Sequence, residues 1–318
     1  MEQRKVWSRW AAVLGLVLAG LSRAIAAPAP ALVTILEGEA SVLRETLRFA
    51  AAEGLALRAD DIVVTGSATR LVRIELDDGR TLDLGPATQL MLLPRSLARD
   101  GAPAAYLLQG WAKLTMPAPG AGAPATATLA TPKGDAARIA GTLIASVAAD
   151  RLWLFAESGS AELQRRRDGR GLQQALKDGD SYLLPAQGPG TLARTPPPEL
   201  RGQVPRAFID TLPRRSARFA GRMVEPSKAV EVAYAEIAPW VNGEAALRPA
   251  FVQRLTPRAK DNGFRNALVA EMKLHPEWQP VLFPPPPKKP PPAPSAPAAP
   301  APEAEPATAA ASAPSAPQ

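Results

Sequence analysis

Between Leu71 and Leu76 apolar and polar residues alternate, with Val72, Ile74 and Leu76 on one face and Arg73 and Glu75 on the other. A period of two marks a strand with one face on a core. Asp77-Asp78-Gly79 breaks the pattern, and Leu82 and Leu84 resume it. A two-residue loop at Asp78-Gly79 would set Glu75 opposite Leu82 and mix the faces. A three-residue loop with Gly79 left-handed sets Ile74 opposite Leu82 and Val72 opposite Leu84. The second register is expected, because a slip of one residue would turn the apolar face to water.

The same reading extends to both sides. Leu32 to Leu36, Ala40 to Arg44, Ile62 to Val64 and Leu90 to Leu93 read as strands. Arg44 to Glu53 fits either a helical turn or a hairpin. Ala104 to Leu108 and Trp111 to Met116 flank Gln109-Gly110. Pro117 to Pro124 is a Pro/Gly/Ala loop. Thr126 to Thr131, Ala140 to Val147 and Arg151 to Ala156 are further strands, and Glu157-Ser158-Gly159, Asp168-Gly169, Asp178-Gly179 and Gly188 are read as punctuation. Short strands with Gly-rich turns predict an all-β body over residues 33–192, either solenoid-like or a twisted two-layer sheet. A weak internal echo supports two related layers. Glu37 to Val42 resembles Ser158 to Leu163, and Ala56 to Asp61 resembles Ala175 to Asp180.

Beyond Pro196-Pro197-Pro198 the period changes. Val230, Tyr234, Ile237 and Val241 recur at helical spacing, as do Leu247, Phe251 and Leu255, and Phe264, Leu268 and Met272. Asn242-Gly243 is a stop signal and Asp261 a cap for the last helix. Residues 199–283 are therefore expected to form a small α-helical module. Residues 284–318, nearly all Pro, Ala and Ser, predict a disordered tail that favours extended polyproline II.

Charge narrows the function classes. The net charge of +7 is uneven: residues 1–26 carry +3, residues 27–199 carry −1 and residues 200–283 carry +5. The β body is thus not basic and its aromatics are not interleaved with cations, which argues against nucleic acid. There is no cysteine, which removes disulfides, thiolate metal sites and Cys nucleophiles. At the N-terminus Arg4, Lys5 and Arg9 precede an apolar run, Ala11 to Leu21, and then Ala24-Ile25-Ala26. This is the form of an export signal cleaved before Ala27, and it places the mature chain in the periplasm or outside the cell. The alternative is an uncleaved anchor with Trp7 and Trp10 at the interface. No Cys follows the run, so there is no lipidation site.

Candidate chemistry is sparse. Arg214, Arg218 and Arg222 are four apart, with Arg206 and Arg215 nearby. On a helix they would form a basic stripe, either for docking to an anionic envelope surface or acidic protein, or simply a solvated face. Pro213 confines such a helix to the residues on its C-terminal side. His275, the only histidine, sits in Leu274-His275-Pro276-Glu277-Trp278 and reads as structural. Trp240 and Trp278 read as packing anchors. Asp60, Asp61, Asp178 and Asp180 are the acids that the echo could bring together, as a glycan-acting enzyme would require; Asp beside Gly is otherwise ordinary turn chemistry. No metal or cofactor site is expected.

The succession Asp61-Ile62-Val63-Val64-Thr65-Gly66, Leu76-Asp77-Asp78-Gly79 and Leu82-Asp83-Leu84-Gly85-Pro86 resembles the FecR domain. So do Leu108-Gln109-Gly110, Ala130-Thr131-Pro132, Gly141-Thr142-Leu143, Glu157-Ser158-Gly159 and Asp178-Gly179-Asp180, over about residues 33–190. The resemblance implies a β-rich, non-catalytic periplasmic domain engaged in protein interaction, envelope sensing or signalling, with no catalytic residues to carry over. The chain departs from the family's sigma regulators in having an export leader where they carry a cytoplasmic anti-sigma segment. A cell-wall or polysaccharide-binding accessory is the alternative, and an envelope glycan-acting enzyme a third.

Overall fold

The computed structural model describes residues 31–100, 103–118, 120, 124–164, 173–222 and 224–284. The leader, the Asp168-Gly169 turn and the tail beyond Pro284 lie outside the described residues, and the Pro117–Pro124 loop is described in part. The N-terminal half of the body is β1 (Ala31–Glu37), β2 (Ala40–Arg44), β3 (Leu47–Ala50), β4 (Ala56–Leu57), β5 (Ile62–Thr65), β6 (Leu71–Leu76), β7 (Thr81–Leu84) and β8 (Gln89–Leu92). Then come β9 (Ala105–Thr115), β10 (Ala127–Ala130), β11 (Asp135–Val147), β12 (Arg151–Gln164), β13 (Gln173–Lys177), β14 (Ser181–Pro185) and β15 (Thr191–Ala193). A strap comes next, residues 198–222, opening with the short helix α1 (Pro198–Arg201). The strand β16 (Ser227–Glu231) and the helices α2 (Tyr234–Val241), α3 (Arg248–Leu255), α4 (Asn262–Ala270) and α5 (Gln279–Leu282) complete the described chain.

The strands form one sheet folded into two leaves, and β9 belongs to both. Before Gly110 it pairs with β8; after it, β9 pairs with β7 and β11. Gly110 has φ +93°, and a Cβ there would lie 2.4 Å from the Cα of Thr88. Glycine is therefore required where the strand crosses from leaf to leaf. The first leaf runs β16-β3-β2-β5-β8-β9, with β10 beside the start of β9. The second contains β1, β6 and β7, the end of β9, then β11, β12, β14 and β15.

Alternation along the strands sorts the side chains into three apolar layers. Val42, Val63, Leu90 and Leu107 meet Val33, Val72, Ile74, Leu84, Leu143 and Leu154 between the leaves. The opposite face of the first leaf, with Leu43, Ile62, Met91 and Tyr106, packs on Ile237, Trp240, Phe251, Leu255, Phe264 and Leu268 of the helices. The opposite face of the second, with Ile35, Leu71, Ile144 and Trp153, packs on Leu200 and Phe208 of the strap. The body is a twisted two-layer sheet, covered by helices on one side and by the strap on the other.

The β6–β7 hairpin adopts the expected register. Val72 pairs with Leu84 and Ile74 with Leu82, and Gly79 has φ +93° in a three-residue loop closed by Leu76 and Arg80. Arg44–Glu53 resolves as a hairpin, with Arg44 opposite Leu47 and Glu45 at φ +50°. Three expectations change. Gln109-Gly110 does not separate two strands, because β9 runs through it. Glu157-Ser158-Gly159 is not a turn, because β12 also runs through it. There Gly141 and Gly159 face each other with φ +111° and +78°, and a Cβ on Gly159 would fall 1.8 Å from the carbonyl oxygen of Ala140. The glycine pair sits between two register shifts, at Ala137/Ala140 and at Thr142/Leu143, inside two long strands. Val230 is not the first turn of a helix but lies in β16, paired with Arg48.

The helices are fixed to the sheet by polar contacts as well as packing. Trp240 Nε1 donates to Gln89 Oε1 over 2.9 Å. Arg254 of α3 reaches across and donates to the carbonyls of Glu45, Asp60 and Leu43 at 2.7, 3.0 and 2.7 Å. Asp261 caps α4 as expected, accepting from the Phe264 N–H over 2.8 Å. Among the described residues no helix is long and apolar enough to cross a membrane.

Candidate interaction surface

The polar row expected on the outer face of β6 does not face water. Arg73, Glu75 and Asp83 are buried, and Lys113 of β9 is nearly so. The cover is the strap. Its prolines, Pro205 and Pro213, prevent a continuous helix, and it runs as α1 and two single 3-10 turns, Arg206–Phe208 and Ser216–Phe219. An irregular segment leaves main-chain donors and acceptors unpaired, and the row of charged side chains supplies partners. Lys113 Nζ donates to the Phe208 carbonyl over 2.6 Å and pairs with Glu157 over 2.6 Å. Arg73 Nη1 donates to the Leu212 carbonyl over 2.8 Å. Glu75 accepts the N–H groups of Arg215 and Ser216 at 2.6 and 3.1 Å. Underneath, Arg73 and Asp83 form a two-pronged pair at 2.6 and 2.7 Å.

Burial pushes the Glu75 carboxyl up, but the hydrogen bonds it accepts, that of the Arg215 N–H the largest, together outweigh it and hold the carboxyl below its ordinary value. A carboxyl so held stabilises the fold fully above its unfolded value of about 4.3 and loses that contribution as pH falls through the lower, folded one. Between pH 5 and pH 3 the thermal midpoint of the natural chain is therefore expected to fall more steeply than that of Glu75→Gln. At pH 7 the same substitution should speed hydrogen exchange at Ser216 by about tenfold, the effect of losing one charge-assisted hydrogen bond. Unchanged exchange would show that Glu75 does not hold the strap.

The five candidate arginines do not form a helical stripe. A helix through the spacing of four is prevented by the capture of two backbone N–H groups on Glu75 and by Gly221 at φ +71°. Arg214 is structural: it donates to Glu75 Oε2 over 3.2 Å and to the Leu76 carbonyl over 3.0 Å. Arg206, Arg215, Arg218 and Arg222 make no ion pair among the described residues, and all but the half-buried Arg215 are exposed. The sequence places the whole charge excess of the C-terminal region here. Residues 200–222 carry +5, whereas residues 223–283 are neutral. The strap is thus a basic ribbon whose main chain is clamped from below.

The other candidates have structural roles. Asp61 accepts the N–H of Arg58 at 2.8 Å and pairs with Arg44 at 2.6 Å. Asp180 accepts the N–H of Lys177 at 2.9 Å and pairs with Arg194 at 3.1 Å. The echo in sequence is therefore an echo in structure, the same acid-closed turn made twice. Asp60 pairs with Arg95, and Asp178 accepts the Gly159 N–H. The four acids sit in these two turns, each with its own partner, and Asp61 and Asp180 are buried rather than solvent-facing. His275 is fully buried, its Nε2 3.3 Å from the Tyr234 hydroxyl. Trp240 and Trp278 are fully buried within the helical layer. Among the described residues no group of three or more His, Asp or Glu could hold a metal.

No family model matches the chain, and no curated protein matches it. Among solved structures it is similar to two crystal structures of a candidate anti-sigma factor from Parabacteroides distasonis, at 13% and 12% identity and TM-scores of 0.35 and 0.34. Each alignment covers 42% of this chain and 59% of the other, so the chain spans about three fifths of the length of these neighbours.

Proposed function

We propose that this chain is an exported, FecR-like interaction module that takes part in envelope sensing or signalling by binding an acidic protein, without catalysing a reaction. The observation that carries the reading is the strap. Residues 200–222 of it carry +5, and its main chain is already held by Arg73, Glu75 and Lys113. A clamped backbone lowers the ordering cost of association, and a concentrated charge raises the rate and selectivity of encounter. The order of the short sequence motifs from Asp61 to Asp180 supports the FecR-like part of the reading.

The test is charge reversal of Arg206, Arg215, Arg218 and Arg222 to Glu, leaving Arg214 in place. Among the described residues none of the four side chains holds the strap down, so the variant should fold with a thermal midpoint within a few degrees of the natural chain. Crosslinking of the exported protein in cells, followed by mass spectrometry, should capture a discrete protein partner for the natural chain and lose it for the variant. Equal capture by both would overturn the reading.

A further inference from the structure

The helical layer carries a shallow pocket of about 490 Å³ lined by Tyr234, Ala235, Ala238, Pro239, Asn242 and Glu271. Ala235, Ala238 and Pro239, all on α2, give it an apolar wall. Glu271, just after α4, gives it a carboxylate. Tyr234 Oη donates to Glu271 Oε2 over 2.8 Å, and Asn242 Nδ2 donates to the same oxygen. Among the described residues Glu271 Oε1 accepts no hydrogen bond and no cation pairs with the carboxylate. Two neutral donors thus fix the group without cancelling its charge. The hydroxyl of Tyr234 and the amide of Asn242 also hold the carboxyl below its ordinary value, so it is ionised at neutral pH. Tyr234 is itself held from behind, edge-on to Phe264 at 5.6 Å between ring centres and beside the buried His275.

We propose that this pocket binds a primary alkylammonium group, its nitrogen on Glu271 Oε1 and its aliphatic stem along Ala235, Ala238 and Pro239. The geometry selects among cations. A guanidinium prefers two carboxylate oxygens side by side, and one of these is already taken. A divalent metal needs several oxygen ligands, and one free oxygen is offered. A quaternary ammonium needs an open aromatic face, whereas Tyr234 is packed against Phe264 and His275. A lone ammonium on a flexible stem needs only one oxygen and an apolar wall. Its source is either a lysine side chain of another protein or a free amine.

The experiment is an NMR titration of the isotopically labelled full chain. The probes are n-butylammonium chloride, Nα-acetyl-lysine methylamide, and sodium chloride at the same ionic strength. Butylammonium should give saturable shifts at the Ala235 and Ala238 amides and the Asn242 side chain. Glu271→Gln, which keeps the size and one acceptor, should weaken binding by at least about tenfold. Tyr234→Phe keeps the ring packing and should weaken it less. A lysine analogue that binds as tightly as butylammonium identifies a protein lysine as the ligand; weaker binding identifies a free amine. Equal shifts from sodium chloride, or a Glu271→Gln variant that binds as the natural chain does, would overturn the assignment.

Discussion

Asp83→Leu is expected to destabilise the protein by about 3–5 kcal/mol, because it strands the buried guanidinium of Arg73. Burial alone would lower the Arg73 pKa, but the hydrogen bond and charge of Asp83, with the charge of Glu75, raise it above its ordinary value. Without Asp83 the cation keeps its cost of burial and loses its main compensation. Removing both partners together, as Arg73→Met with Asp83→Leu, should cost far less than the sum of the single changes, since no unpaired charge remains. The double variant still loses the bond from Arg73 to the Leu212 carbonyl, so some weakening of the strap should persist. Urea unfolding of the four chains of this cycle measures the coupling. Additive single and double changes would mean that the pair is not a buried unit.

Gly110→Val is the second large effect. The backbone at φ +93° costs a non-glycine residue about 1–3 kcal/mol. The new Cβ would also meet Thr88 Cα and Oγ1, each at 2.4 Å, and backbone cannot yield as a side-chain tip can. Overpacking of this kind adds about 1–3 kcal/mol. A total of about 2–6 kcal/mol is expected, read as a loss in the urea midpoint. Gly188 is the control. Its φ is +95° but a Cβ there would have nothing within 4 Å, so Gly188→Val should show the backbone cost alone. Equal losses at the two sites would remove the close approach at Thr88 from the explanation.

Both sites lie in parts of the chain that the sequence makes legible to different degrees. The β6–β7 register follows from period two and one glycine, and that register already sets Arg73 opposite Asp83. The fate of the outer face does not follow. Its cover arrives 139 residues later, at Leu212, in a segment whose local pattern shows only prolines and basic residues. Glycine is ambiguous for a physical reason. A turn and a bulge both use its positive φ, so Glu157-Ser158-Gly159 reads as a chain reversal until β11 is seen to run alongside. The arginine spacing is visible at once, but the helix it suggests is lost to a carboxylate, Glu75, from a distant strand, which captures the N–H groups of Arg215 and Ser216. The acids of the echo are visible as turn residues. That Asp61 and Asp180 each close the same turn and each take an arginine requires the fold, since Arg44 precedes its acid and Arg194 follows.

The central claim is that the basic strap is the surface through which the protein meets an acidic protein partner. The most direct measurement places a photo-crosslinking amino acid at position 218, on the strap, and separately at position 260, on the helical side. Adducts formed in the cell envelope are then identified by mass spectrometry. The account predicts a discrete protein adduct from position 218, absent from position 260 and lost when Arg206, Arg215 and Arg222 are reversed to Glu. Adducts with glycan alone at position 218, or the same protein adduct from both positions, would contradict it.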